Sequence, residues 1–453
     1  MSVRQETEAD HRTRSGGQPK ALPARRVARL LSKVTLDLSP IRGSRDYRVF
    51  WISQVASLTG SQMTVVALAA QAYLLRHNSL DVGIVSAAQL VSLVVGAFAG
   101  GHLGDRVNRR AMLVTLQIAQ GLCMAALALG VGLSGTTGLA FLVALGTALA
   151  LCTAMDEPVR DSLVPSLLRD RDLEAGQVLN QTLFQITSLA GPLVGGVVLS
   201  LWNVRAVYVV DALTFAVAAV GYYLIRTGRG GNPGGAGPSG PALRGLWSGV
   251  RFFLRHPLIQ AIAVIDLFAM VFGMPRALFP QLVTDHGGWP SGSLGLLFTA
   301  PALGALLAGA TGGWIGRVRR QGLGVMVSVG VWGLAIAATG LVLNSLWAIL
   351  LLLLVAGAAD AVSAVLRVTM MQRHTPVLLR SRVNALFLLF VVGGPRLGDI
   401  ESGAVAHWGL RLSVVSGGLL CLAGVVITAV FWPGFAHYRR RARATDEDPK
   451  EDR

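Results

Sequence analysis

Only 14% of the 453 residues carry a charged side chain, and just three of the 40 basic residues are lysine: Lys20, Lys33 and Lys450. An ordinary soluble domain is about 25% charged, so this shortage argues against that class. No GxxxxGK[ST] phosphate loop, HExxH or GxSxG occurs, which sets aside P-loop ATPase, zinc-protease and serine-hydrolase chemistry. Three cysteines, Cys123, Cys152 and Cys421, all lie in apolar stretches. That pattern excludes a disulfide framework and offers too few ligands for a zinc site. No enzymatic activity, cofactor or metal is expected.

What the chain does have is hydrophobicity, at 53% of residues and a mean hydropathy of +0.57. Apolar windows of bilayer-crossing length recur throughout, and about 20 residues suffice for one crossing. Spans are expected at 48–76, 79–104, 111–133, 137–157, 174–200, 204–226, 258–284, 291–315, 322–343, 346–370, 383–408 and 411–433. The fold class is therefore an all-α membrane protein of twelve transmembrane helices, with the lipid bilayer as its first partner.

The net charge of +16 could suggest nucleic acid, but the distribution argues otherwise. Counting span ends with the connections they adjoin, 35 of the 40 basic residues fall on the two tails and on the connections from even to odd spans. The opposite connections hold Arg76, Arg205 and Arg411, while Arg276 and Arg396 lie within spans. Basic residues stay cytoplasmic, so both termini are expected inside and no nucleic acid is expected as a partner.

The chain divides into a basic tail (1–45), six spans (46–226), a connector (227–257), six more spans (258–435) and a charged tail (436–453). Within the first tail, residues 24–36 place Val27, Leu30, Leu31 and Val34 on one stripe among four basic residues. That pattern suits either a helix on the inner leaflet or a solvated tail. The connector opens with GRGGNPGGAGPSG (228–240), a flexible linker, and closes with a short amphipathic stretch, 246–257.

The two halves echo each other. GPLVGG (191–196) in the fifth span matches GPRLGD (394–399) in the eleventh, and GHLGDRVNRR (101–110) after the second matches GWIGRVRR (313–320) after the eighth. Repeats at corresponding places argue for two pseudo-symmetric six-helix halves.

On these residues the chain resembles the major facilitator superfamily over about 45–435. Gly101, Leu103, Asp105, Arg106, Arg109 and Arg110 match that superfamily's loop between spans 2 and 3, with Asn108 in place of a glycine. Gly191, Pro192, Gly195 and Gly196 resemble the antiporter motif of drug:proton exporters, although Thr187 replaces its earlier glycine. DYRVFWISQVASLTG (46–60), YVVDALTF (208–215) and the RHP before span 7 are similar to the enterobactin-exporter and macrolide-efflux branch. Ser61 stands where that branch often has an acid. The resemblance implies a monomeric transporter in the cell membrane that exports an amphipathic small molecule, a drug or a secondary metabolite, driven by an ion gradient, with protons as the second partner. Alternative readings are a dedicated siderophore exporter and a transporter-like scaffold that moves nothing. It also implies that the span 2–3 loop latches the halves, with Arg160 and Asp156 close to Asp105.

Charges at membrane depth are the remaining candidates, because each costs about 2.5–3.5 kcal/mol even on lenient insertion scales. They are Asp211, Asp266, Asp360 and the stretch GPRLGDIE (394–401) with Arg396, Asp399 and Glu401. Arg396 and Asp399 are three residues apart, share a helix face and are expected to pair. Glu401 points elsewhere and needs another partner, a cavity or a proton. Arg276 is expected near the outer edge, where it could snorkel. Polar patches at Gln54, Ser57, Ser61 and Gln62, and at Asn180, Gln181 and Gln185, could line a cavity or join helices.

Overall fold

Hydrocarbon supplies no hydrogen-bond partner, so each crossing segment must close its own backbone bonds, and the helix does this. The computed structural model describes residues 37–104, 108–226, 250–286, 288–290, 292–376 and 379–438. The N-terminal stripe, the glycine linker, the charged C-terminal tail, Asp105 and Arg106 lie outside the described residues.

Twelve long helices run through the described chain: α1 (Arg45–Arg76), α2 (Ser79–Gly104), α3 (Arg109–Gly130), α4 (Gly135–Leu167), α5 (Leu173–Leu201), α6 (Val204–Leu224), α7 (Pro257–Phe272), α8 (Ser293–Thr311), α9 (Gln321–Leu341), α10 (Leu346–His374), α11 (Arg380–Val405) and α12 (Leu410–Phe431). Among the described residues, eleven helical segments are long and apolar enough to cross a membrane. Helix α11 occupies the expected span at 383–408. It carries Arg380, Arg382, Arg396, Asp399 and Glu401.

Local chemistry sets several helix starts. Ser44, Asn108, Asn203 and Ser345 each precede a helix and accept a hydrogen bond from a backbone N–H of its first turn, satisfying a donor that has no partner within the helix. Asn108 thus serves the span 2–3 loop as a cap. Its φ of −60° is ordinary, and no left-handed geometry is needed there.

Two spans depart from expectation. Helix α4 continues beyond 157 to Leu167, carrying Arg160 within it. The seventh span is interrupted after Phe272 and resumes as a 3-10 turn, Arg276–Leu278, and a short helix, Phe279–Asp285. Pro275 cannot donate a backbone hydrogen bond. The carbonyl of Gly273 finds its partner in the buried Trp332 indole N–H, at 2.6 Å.

The same pairings recur in both halves. α2 packs on α4 as α8 packs on α10, α3 on α6 as α9 on α12, α1 on α5 as α7 on α11, and α1 on α6 as α7 on α12. The halves meet along α2–α11 and α5–α8. Glycine lets backbones approach where these pairs are tightest. A Cβ on Gly100 of α2 would lie 2.6 Å from the Met155 Cα of α4. In the second half, Gly304 of α8 rests on the Leu354 carbonyl, and Gly357 of α10 rests on the Pro301 carbonyl.

Away from these seams, large apolar side chains such as Val91, Leu129, Leu351 and Val430 face outward, as lipid contact requires. Trp202, Trp347 and Trp408 project at one end of the helices, and Tyr223, Trp314 and Phe431 at the other. These are the positions that interfacial aromatic belts occupy.

Gly357→Val tests the packing reading. Its side chain would meet the Pro301 backbone, which cannot swing aside, so stability should fall by about 1–3 kcal/mol. Gly313→Ala, which faces open space, should leave the thermal unfolding of detergent-purified protein unchanged.

Candidate functional site

A cavity of about 390 Å³ lies between the halves. Its first-half wall is built by α1, α2, α3, α4 and α5, and its second-half wall by α8, α11 and the broken segment after α7. Among the described residues, six charged ones line it: Asp156, Glu157 and Arg160 on α4, and Arg276, Arg396 and Asp399 opposite.

The α4 side is a connected polar network. Ser57 Oγ on α1 donates to Gln117 Oε1 on α3 at 3.1 Å, and Gln117 Nε2 donates to Asp156 Oδ1 at 3.3 Å. Arg160 Nη1 pairs with Asp156 Oδ2 at 3.1 Å, one turn along the same helix. Arg160 is therefore already engaged by Asp156. Glu157 is exposed and lines the cavity beside this pair.

The α11 side departs from expectation. Among the described residues, no ion pair within 4.0 Å joins Arg396 to Asp399. Asp399 instead accepts a hydrogen bond from Ser86 Oγ on α2 at 2.8 Å, directly across the interface between the halves. Arg396 Nη1 turns back to the Val392 carbonyl at 3.4 Å, and its buried Nε has no partner among the described residues. Pro395 lines the cavity beside them, so the helix face they share faces a polar space. Arg276 does not snorkel. The break in the seventh span turns it into the cavity, with its Nε 2.9 Å from Met274 Sδ. Glu401 is half-buried, away from the cavity lining, and has no ion-pair or hydrogen-bond partner among the described residues.

The other membrane-depth acids are elsewhere. Asp211 on α6 is fully buried and accepts hydrogen bonds from the hydroxyls of Thr64 on α1 and, at 2.9 Å, Thr214. Gly60 on α1 leaves the room its carboxylate occupies. Asp266 on α7 and Asp360 on α10 share one partner, Arg367. It contacts Asp266 directly and reaches Asp360 at 3.3 Å. By charge counting alone, Arg367 belongs with the basic connection after span 10. The structure makes it a core residue, 1% exposed. Its spacing of seven from Asp360, two helical turns on one face, is the signal in the sequence that could have found the pair.

Among the described side chains, the motif residues take up packing roles. Gly101 and Leu103 lie on the last turns of α2. Arg109 donates to the Ser162 carbonyl of α4 at 3.1 Å. Arg110 reaches the Tyr223 carbonyl of α6 and stacks 5.0 Å from the Tyr223 ring centre. In α5, Gly191 rests on Gln62 and Thr59 of α1, and a Cβ on Gly195 would lie 2.9 Å from the Met63 Cα. Gly196 faces the other half, where a Cβ would lie 2.5 Å from the Gly295 Cα of α8. Pro192 lies in the same seam, its carbonyl against Gly295. Of the two polar patches, Gln54 and Ser57 are buried, and Ser61 and Gln62 line the cavity. Asn180 accepts from the Tyr47 hydroxyl at 3.2 Å, and Gln181 and Gln185 are exposed.

The family profile described as "Transmembrane secretion effector" matches residues 35–447. The enterobactin exporter EntS of Shigella dysenteriae serotype 1 (strain Sd197) is 26% identical over 375 residues, 82% of this chain and 87% of that protein. EntS of Escherichia coli O81 (strain ED1a) shows the same identity and coverage. Among solved structures, a POT family transporter in complex with 5-aminolevulinic acid matches with a TM-score of 0.68 at 14% identity, covering 86% of this chain and 97% of that one. A bacterial homologue of the human lysosomal transporter Spinster matches at 0.66 and 16% identity, covering 87% and 98%.

The Asp266–Arg367–Asp360 cluster generates a stability prediction. Arg367→Gln leaves the buried Asp266 and the half-buried Asp360 without their cation and should cost about 3–5 kcal/mol. Combining it with Asp266→Asn should recover part of that loss in thermal unfolding, because the uncompensated charge is smaller.

Proposed function

Because the chain belongs to the transmembrane secretion effector family of the major facilitator superfamily, we propose that it exports an amphipathic organic molecule across the cell membrane by proton-coupled alternating access. The observation that carries this reading is the charged cavity between two pseudo-symmetric halves. A polar space at that depth gives a substrate and protons somewhere to reside that hydrocarbon does not.

The contacts across the halves fit one state of such a cycle. A Cβ on Gly83 would lie 3.0 Å from the Asp399 carbonyl, and one on Gly403 would lie 2.6 Å from the Ser79 carbonyl. Ser79 Oγ donates to Gln281 at 2.7 Å. With Gly196–Gly295, these contacts lie toward the ends that the basic residues assign to the outside. A cycle would open this outer seam and close the opposite one, where the span 2–3 loop with Asp105 would act as the latch. Asp399 bonds the opposite half through Ser86, so gain of a proton there would change the bond between halves. Glu401 is the second candidate carrier. Asp211, already satisfied by two threonines, and Asp266 and Asp360, held by Arg367, fit structural roles better.

A dedicated exporter of one secreted metabolite is the second reading. It is supported by similarity to relatives named as enterobactin exporters, and it predicts flux of a single compound class.

Inside-out vesicles test the mechanism. Accumulation of a fluorescent amphipathic dye should require an imposed pH gradient. Asp399→Asn should reduce gradient-dependent accumulation at least tenfold, about 1.4 kcal/mol of coupling. Full pH-dependent flux in Asp399→Asn and Glu401→Gln alike would place the proton carrier elsewhere. A separate measurement addresses the seam. Gly195→Leu inserts bulk against the Met63 backbone and should lower flux or leak protons while the protein still reaches the membrane.

A further inference from the structure

Two guanidinium groups lacking strong acceptors on one wall of a cavity form an unusual arrangement at membrane depth. A guanidinium carries five N–H donors in a planar fork. Among the described residues, Arg396 commits one donor to its own helix at 3.4 Å and has a buried Nε with no acceptor. The Arg276 Nε faces a thioether, a weak acceptor. Neither residue forms an ion pair within 4.0 Å among the described residues.

The nearby acids do not complete these donor sets. Asp399 gives Oδ2 to Ser86 and keeps a buried, unbonded Oδ1, so its charge offsets one of the two guanidiniums without hydrogen-bonding either, and Asp360 gives an oxygen to Arg367. Arg160 and Asp156 on the opposite wall already pair with each other. What Arg276 and Arg396 still lack is an oxygen acceptor presented from the cavity. Planar, charge-assisted pairing with a carboxylate supplies two such oxygens at once.

We propose that Arg276 and Arg396 form an oxyanion subsite that holds the carboxylate, or a similar oxyanion, of an amphipathic substrate. The proposal rests on the transporter reading for its biological meaning and names the substrate class of that same cavity. Glu157, exposed on the opposite wall, repels a second anion and favours one end of the ligand over the other. A substrate bearing one oxyanion and an apolar body fits this distribution.

Binding tests the subsite without a gradient or flux, so it can fail while transport stands, and transport can fail while it holds. The probes are dansylglycine and its uncharged amide, dansylglycinamide, titrated by fluorescence against the full-length protein in nonionic detergent. Wild type should bind the carboxylate at least about tenfold more tightly than the amide, since charge-assisted pairs are the stronger ones. Arg396→Gln and Arg276→Gln should each shrink that preference to about threefold or less while leaving amide affinity unchanged, which also reports an intact cavity. Arg396→Lys should keep most of the preference. Equal affinities in wild type, failure of both probes to bind, or a preference that survives the double glutamine variant would overturn the proposal. So would loss of amide binding in step with carboxylate binding, because the arginines would then shape the cavity and not read charge.

Discussion

Everything in this molecule answers to one constraint: a polar group held in hydrocarbon must find its partner inside the protein. The backbone meets it by coiling into helices, and the capping side chains of Ser44, Asn108, Asn203 and Ser345 extend it to helix ends. Where the seventh span breaks at Pro275, Trp332 supplies the donor that the Gly273 carbonyl needs. The same requirement sorts the ionisable groups. Asp211 is bonded by two threonines, and Asp266 and Asp360 converge on Arg367. On the cavity wall, by contrast, the donors of Arg276 and Arg396 lack strong acceptors among the described residues.

Close packing is the second condition. Lipid tails are as apolar as leucine, so helices gain from association through contact and not through hydrophobic burial. Glycine seams bring backbones together inside each half and again between halves. The antiporter-like motif shows both uses within about one and a half turns of α5. Gly191 and Gly195 face α1 in their own half, while Gly196 meets Gly295 across the interface. A seam of small residues holds no side-chain interlock, which suits the proposed alternating access.

The cavity joins these two conditions. Its walls are charged because several elements contribute one or more groups each, and an aqueous space lowers the cost of every one of them. The break at 273–275 turns Arg276 toward it, while the unbroken α11 presents Arg396 beside Pro395. Asp399 adds a link that belongs to neither half alone, since its bond to Ser86 spans 313 positions of sequence. A group that both lines the cavity and ties the halves is positioned to connect occupancy with the state of the seam.

Helix positions were legible in the sequence because hydrocarbon thickness and hydropathy impose them locally. The start of almost every expected span lies within a few residues of the observed helix. The internal repeat likewise anticipated matching helix pairings, since descent from one unit carries its packing surfaces with it. The sequence also marked which residues are costly at depth, through composition alone. It did not determine who pairs with whom. Arg396 and Asp399 share a helix face, yet Asp399 bonds Ser86 on another helix, because the nearest partner in space came from across the interface. Arg367 looked like part of a basic loop and became the centre of a buried cluster, since the length of α10 and the approach of α7 decide its surroundings. The Asp360–Arg367 spacing hints at one pair, but the Ser86–Asp399 and Asp266–Arg367 contacts arise from tertiary packing of residues far apart in the chain, and no local pattern encodes those.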